Sequence, residues 1–146
     1  RMAAGDKENI ILHQGKYAFV LMTKLPYNNG HLMVVPNRHC LDLDRLREEE
    51  FRELSHLLKI STQVLKASLH PHGFNIGINL GTAGGAGEEH LHFHIVPRWS
   101  GDTNFMPVLT ETKVVPEYLE KTYGKLKEVF TVLLKKKRGQ KGGRKR

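Results

Sequence analysis

Cysteine is almost missing from this chain. Cys40 is the only one in 146 residues, so no disulfide can form within the chain and a cystine-stapled secreted scaffold is excluded. Long apolar runs are missing too. No stretch approaches the roughly 20 consecutive apolar residues that cross a bilayer, and Arg1-Met2-Ala3-Ala4-Gly5-Asp6 lacks the apolar centre of a secretory signal. These absences lead us to expect a cytoplasmic protein with no membrane partner. Acid is missing from residues 135–146, where Lys135, Lys136, Lys137, Arg138, Lys141, Arg144, Lys145 and Arg146 stand without counter-charge. They account for the whole net charge of +8, because residues 1–134 hold 15 basic and 15 acidic residues. We therefore divide the chain into a formally neutral domain, 1–134, and a basic tail, 135–146. The tail is expected to be disordered, since it has nothing apolar to bury. Such a tail can bind nucleic acid by releasing counterions. Basic runs are weakly specific, however, and a solubilising role is favoured by about two to one.

The apolar residues that are present follow readable patterns. Residues 10–13 and 17–22 are β-prone runs around Gln14-Gly15-Lys16, which reads as a hairpin. The turn formers Pro26-Tyr27-Asn28-Asn29-Gly30 lead into a third strand, 31–36, that Pro36 ends. From 43 to 69, Leu46, Phe51, Leu54, Leu57, Leu58, Val64 and Leu65 fall largely at three- and four-residue spacings, behind Glu48, Glu49 and Glu50. This predicts a helix with one buried face and acids at its N-terminal end, where the dipole favours them. Residues 74–80 and 90–97 alternate as strands around a loop containing Gly81, Gly84, Gly85 and Gly87. A short strand after Pro107 and a helix over 117–134 follow. Strands on both sides of one long helix, without regular alternation of the two, predict an α+β domain. Its sheet is expected to be mainly antiparallel with about five strands, beside the long helix and a C-terminal helix.

The run His90-Leu91-His92-Phe93-His94-Ile95-Val96-Pro97 carries the chemistry. On a strand, three alternate histidines share one face at about 6.5–7 Å spacing, and Leu91, Phe93 and Ile95 take the other. Crowded imidazoles repel each other's charge, which holds some of them neutral, and a neutral imidazole offers a lone pair that can attack phosphorus. The preceding loop, Asn79-Leu80-Gly81-Thr82-Ala83-Gly84-Gly85-Ala86-Gly87, lets main-chain N–H groups approach an anion closely. Anion cradle and nucleophile would then be neighbours. A zinc site is the rival, weighed at about one in ten, since no cysteine lies near and the glycine loop would go unexplained. His13, His39, His56, His70 and His72 show no such pattern and read as surface or packing residues, whereas His31 follows the Asn-Asn-Gly turn and is placed to approach the site.

His90-Leu91-His92-Phe93-His94-Ile95-Val96 matches the histidine-triad motif at every position, and the chain resembles that family. The segments Pro26-Tyr27-Asn28-Asn29-Gly30-His31-Leu32, Gly73-Phe74-Asn75-Ile76-Gly77-Ile78-Asn79-Leu80-Gly81 and Pro97-Arg98-Trp99-Ser100-Gly101-Asp102-Thr103-Asn104-Phe105 look like its diadenosine polyphosphate branch. The resemblance implies a histidine-triad fold over 1–134, a homodimer with a sheet continued across the interface, and cleavage of a nucleotide substrate at its α-phosphate. His92 would be the nucleophile. His94 would contact the α-phosphate and the leaving oxygen, and His90 would help to fix the tautomer of His92. Asn79 would place an amide beside the phosphate, Gly85 and Gly87 would cradle it, and Thr23 stands where the family holds the ribose. No tightly bound cofactor is expected, and any Mg²⁺ would arrive with the polyphosphate.

Two departures bear on these roles. Ala86 replaces a frequent Gln four residues before His90, and Gly87 replaces a hydroxyl residue, so main-chain donors must do more of the work. Trp99 is expected to stack on a base, with a core role nearly as well supported. Water or phosphate as acceptor stays open, as do a purine-nucleotide phosphoramidase and a nucleotide-binding sensor with little turnover.

Overall fold

The computed structural model describes residues 10–23, 29–86, 90–102 and 116–142. The hairpin forms as strands β1 (Ile11–Gln14) and β2 (Ala18–Met22), and β3 is Leu32–Pro36. A short 3-10 turn, Leu43–Arg45, leads into the long helix α1, Glu48–Leu69. β4 (Gly73–Ile78), a second 3-10 turn at Thr82–Gly84, β5 (Phe93–Arg98) and helix α2 (Pro116–Gly142) follow. The sheet order is β1-β2-β3-β5-β4 and every neighbouring pair is antiparallel. The fold is therefore α+β with a five-stranded antiparallel sheet, as the patterning implied. The strand expected after Pro107 lies outside the described residues.

Alternation along the strands divides the sheet into two unlike faces. Leu12, Val20, Met22, Leu32, Val34 and Ile95 form one buried cluster with Leu54, Leu57, Ile60, Val64 and Leu65 of α1 and Leu126 and Phe130 of α2. Ile10, Leu21 and Val35 form a smaller cluster with Ile11, Phe19 and Met33. Both helices thus cover one face and leave the other for the site. Glu53 of α1 clamps the hairpin turn to the helix layer, its carboxylate accepting from the backbone N–H groups of Lys16, Tyr17 and Ala18. At the other end of α1, His70 adopts a left-handed conformation (φ 50°, ψ 51°) and Pro71 forbids continuation.

Helix α2 corrects one expectation. The helix continues eight residues past Leu134, to Gly142, so most of the stretch expected to be a disordered tail is helical. Lys, Arg and Gln are good helix formers, and cations suit a helix C-terminal end, so charge without apolar residues does not stop an established helix. No helix among the described residues is long and apolar enough to cross a membrane.

Candidate active site

His94 sits in β5 between Met33 of β3 and Gly77 of β4. Its neighbour Ile95 is fully buried under the helices, so the pleat sends His94 to the face opposite the helices. His31, one residue before β3, turns to the same face as Met33 and is only 1% exposed. Its Nε2 lies 3.0 Å from His94 Nδ1, with ring centroids 5.2 Å apart. A hydrogen bond between two imidazole nitrogens needs a proton on one and a lone pair on the other, so at least one ring of the pair is neutral. Burial, then the neighbouring His94 and His92 rings, pushes His31 down to about 3. Burial, then His92, pushes His94 down to about 4. Both are neutral at pH 7.

His92 lies immediately before β5, its ring edge-on to His94 with centroids 4.5 Å apart and planes at 76°. Its Nδ1 is 2.7 Å from the main-chain carbonyl oxygen of His90. A carbonyl can only accept, so the Nδ1 of a neutral His92 carries the proton and its Nε2 carries the lone pair. The same reasoning settles His90. Its Nε2 donates to the carbonyl oxygen of Pro36, which leaves Nδ1 of the neutral ring to accept from His39 Nδ1 at 3.0 Å. Burial lowers the pKa of His90 and is opposed by the Pro36 hydrogen bond, with the nearby His39 lowering it further.

The three triad histidines do not form the even row expected of a strand over 90–97. β5 begins at Phe93, because Leu91 N–H bonds to Cys40 O at 2.8 Å and carries the chain away from the β3 ladder onto residues 36–40. His92 and His94 touch, while the His90 ring turns to Pro36 and His39. His39 is therefore a site residue that its sequence position did not reveal, and the approach of His31 is as anticipated. Arg38 holds this supporting segment. Its Nη2 donates to Glu50 Oε1 and to Arg45 O, both at 2.9 Å, and its Nε lies 3.2 Å from Glu50 Oε2. Glu50 is almost fully buried and also accepts from Arg47 N–H at the start of α1. The Arg38 hydrogen bond holds its carboxyl below the usual range.

The remaining expected residues are placed unequally. Ile78 pairs with Phe93, so Asn79 follows at the end of the β4 ladder, in the row of Gly77 and beside the position of His92. Asn79 is exposed, and a Cβ at Gly85 (φ 88°) would lie 3.6 Å from its Nδ2, so amide and glycine loop are neighbours. Gly87 lies outside the described residues. Thr23 is buried and its N–H donates to His31 O at 3.2 Å, which sets it beside the His31–His94 pair. Trp99 is half-buried and belongs to neither core cluster. It opens a turn in which its N–H bonds to Asp102 Oδ2 at 2.9 Å and Asp102 N–H to its carbonyl oxygen at 3.0 Å. Among the described residues no group of three His, Cys, Asp or Glu side chains is arranged to hold a metal ion.

Known proteins share this fold. The HIT domain family matches residues 4–101. A curated relative from Mycobacterium tuberculosis, named AP-4-A phosphorylase, is 45% identical over 118 residues, which are 80% of this chain and 60% of the relative. The chain thus spans less than two thirds of that protein. Among solved structures, a hypothetical histidine triad nucleotide-binding protein from Sulfolobus tokodaii superposes with a TM-score of 0.75 at 24% identity, covering 88% of each chain. A zinc-bound histidine triad family protein from Mycobacterium smegmatis gives 0.72 at 27% identity, covering 89% of each.

Proposed function

The chain belongs to the HIT domain family, and from that premise we propose that it cleaves dinucleoside polyphosphates such as diadenosine tetraphosphate at an α-phosphate, with inorganic phosphate as the second acceptor. The observation that carries the reading is the tautomer of His92, whose Nδ1–H is tied to the His90 carbonyl oxygen so that Nε2 of the neutral ring keeps the lone pair. In the first step Nε2 forms a bond to the α-phosphorus. The bond from phosphorus to the bridging oxygen breaks, and its electron pair leaves with the nucleoside triphosphate. In the second step an oxygen of phosphate attacks the same phosphorus and the P–N bond breaks. Neutral His92 is restored and a nucleoside diphosphate is released.

His94 is neutral in the ligand-free site and its ring backs His92. His90 acts through His92, its carbonyl setting the tautomer. Asn79 and the Gly85 loop supply donors to the phosphate oxygens, with Gly87 assigned to the same cradle by its place in the loop. Thr23 is assigned to the ribose and Trp99 to the second base. Phosphate is preferred to water as acceptor because the curated relative with 45% identity is named a phosphorylase. The protein itself needs no metal for these steps, and Mg²⁺ enters only as a counterion of the polyphosphate. We read the protein as a homodimer joined through β4. No described strand pairs with its outer edge, and Ile76 there is 49% exposed; light scattering behind size exclusion tests this. A cytoplasmic location is part of the same reading and agrees with a nucleotide substrate.

Mass spectrometry of products formed from diadenosine tetraphosphate in oxygen-18 water, with and without phosphate, tests the reaction. Phosphate-dependent ADP and ATP are expected. Labelled AMP with ATP, formed equally without phosphate, would make the protein a hydrolase. Tight binding of an uncleavable analogue without any turnover would overturn the enzymatic reading in favour of a sensor.

A further inference from the structure

The basic end of α2 takes no part in the site just described. α2 packs on the helix-covered face through Leu126 and Phe130, while the histidines occupy the other face, so the sheet separates the two. Lys127 Nζ reaches the carbonyl oxygen of Leu12 and Tyr123 Oη donates to that of Ile11, which fixes the helix along β1, the strand at the far edge from β4. Beyond Leu134, the last residue packed against the core cluster, the helix runs on with Lys135, Lys136, Lys137 and Arg138. No acid follows Glu128 in the sequence.

Stability alone does not account for this run. A cation in the last turn of a helix gains only about 0.3–1 kcal/mol from the dipole, and like charges at helical spacing, such as Lys135 and Arg138, lose a comparable few tenths. Four adjacent cations with no acid among them therefore gain little until a polyanion approaches. At 1.5 Å rise per residue the four span about 6 Å of helix axis. Their side chains radiate about 100° apart around the axis, and duplex nucleic acid presents one phosphate charge per about 1.7 Å, so long flexible lysines and arginines at this end of the helix can reach several phosphates at once. A bilayer surface fits less well. Interfacial helices need an apolar stripe, whereas residues 135–146 contain no apolar side chain at all.

We propose that the C-terminal end of α2 is a docking surface for nucleic acid, gripping the phosphate backbone without regard to base sequence. It anchors the domain with the catalytic face turned away from the polymer and open to small nucleotides. This rests on charge and placement, independently of the reaction assigned above.

The test is fluorescence anisotropy of labelled duplex RNA and DNA, titrated with the full chain across a salt series. The same titration is run on a variant carrying K135Q, K136Q, K137Q and R138Q, which keeps good helix formers. The logarithm of the association constant is expected to fall against the logarithm of salt with a slope between about −4 and −7. The lower figure applies if only the four residues engage and the higher if the other basic residues up to Arg146 join them. The variant's slope is expected to be shallower by about 3 to 4 units, with its melting temperature and its turnover of diadenosine tetraphosphate unchanged. No binding by the full chain at low salt, or equal slopes for both proteins, would overturn the proposal. So would binding to phosphatidylserine vesicles without binding to nucleic acid.

Discussion

At the scale of single residues, the chemistry depends on which nitrogen of each imidazole carries a proton. His92→Ala removes the lone pair, and turnover is expected to fall by at least about a thousandfold. His31→Asn removes a buried imidazole, and the consequence is one of pH. A histidine held neutral by burial binds fewer protons folded than unfolded between about pH 3 and 6.5, so stability is complete above pH 6.5 and is lost as the solution is acidified through that window. The loss approaches about 1.4 kcal/mol per pH unit for a group as buried as His31. Melting temperature is therefore expected to drop between pH 7 and pH 5, and less steeply in His31→Asn. Gly77 faces the row of His94 and Asn79, and a Cβ there would meet nothing within 4 Å. Gly77→Val should fold, fill that space and raise KM about tenfold; an unchanged KM would remove this surface from the nucleotide site. The triad histidines were legible because alternation and motif spacing are local. His39 was not, since its role arises where the chain from 36 to 40 meets residue 90, 51 positions away in sequence.

At the scale of elements, the supporting segment matters more than strand regularity. Patterning located all five described strands and the long helix, because each has an apolar face of its own. It placed the start of β5 three residues too early, since periodicity cannot register a chain drawn off its ladder by Cys40 O. It ended α2 too early, since the residues that continue the helix past Leu134 include no apolar side chain to mark it. The Arg38–Glu50 pair ties the 36–40 segment to the start of α1, and so sets the two partners of His90. Arg38→Ala is expected to lower kcat ten- to a hundredfold, about the effect of displacing a reacting group by 1 Å. KM should change little and Arg38→Lys should restore part of the rate. A rise in KM with kcat intact would mean that the segment binds substrate instead of positioning His92.

At the scale of the whole molecule, one antiparallel sheet separates two tasks. The helix-covered face supplies the main core, and the opposite face carries His31, His92, His94 and the row containing Gly77 and Asn79. The central claim is that a nucleotidyl group is held on His92. The most direct measurement is rapid quenching of the protein with diadenosine tetraphosphate in the absence of phosphate, followed by alkaline denaturation and peptide mass mapping. An adenylyl mass on the peptide containing His92, absent from His92→Ala, is the expected result. An adduct on another residue, or unimpaired turnover by His92→Ala, would contradict the account.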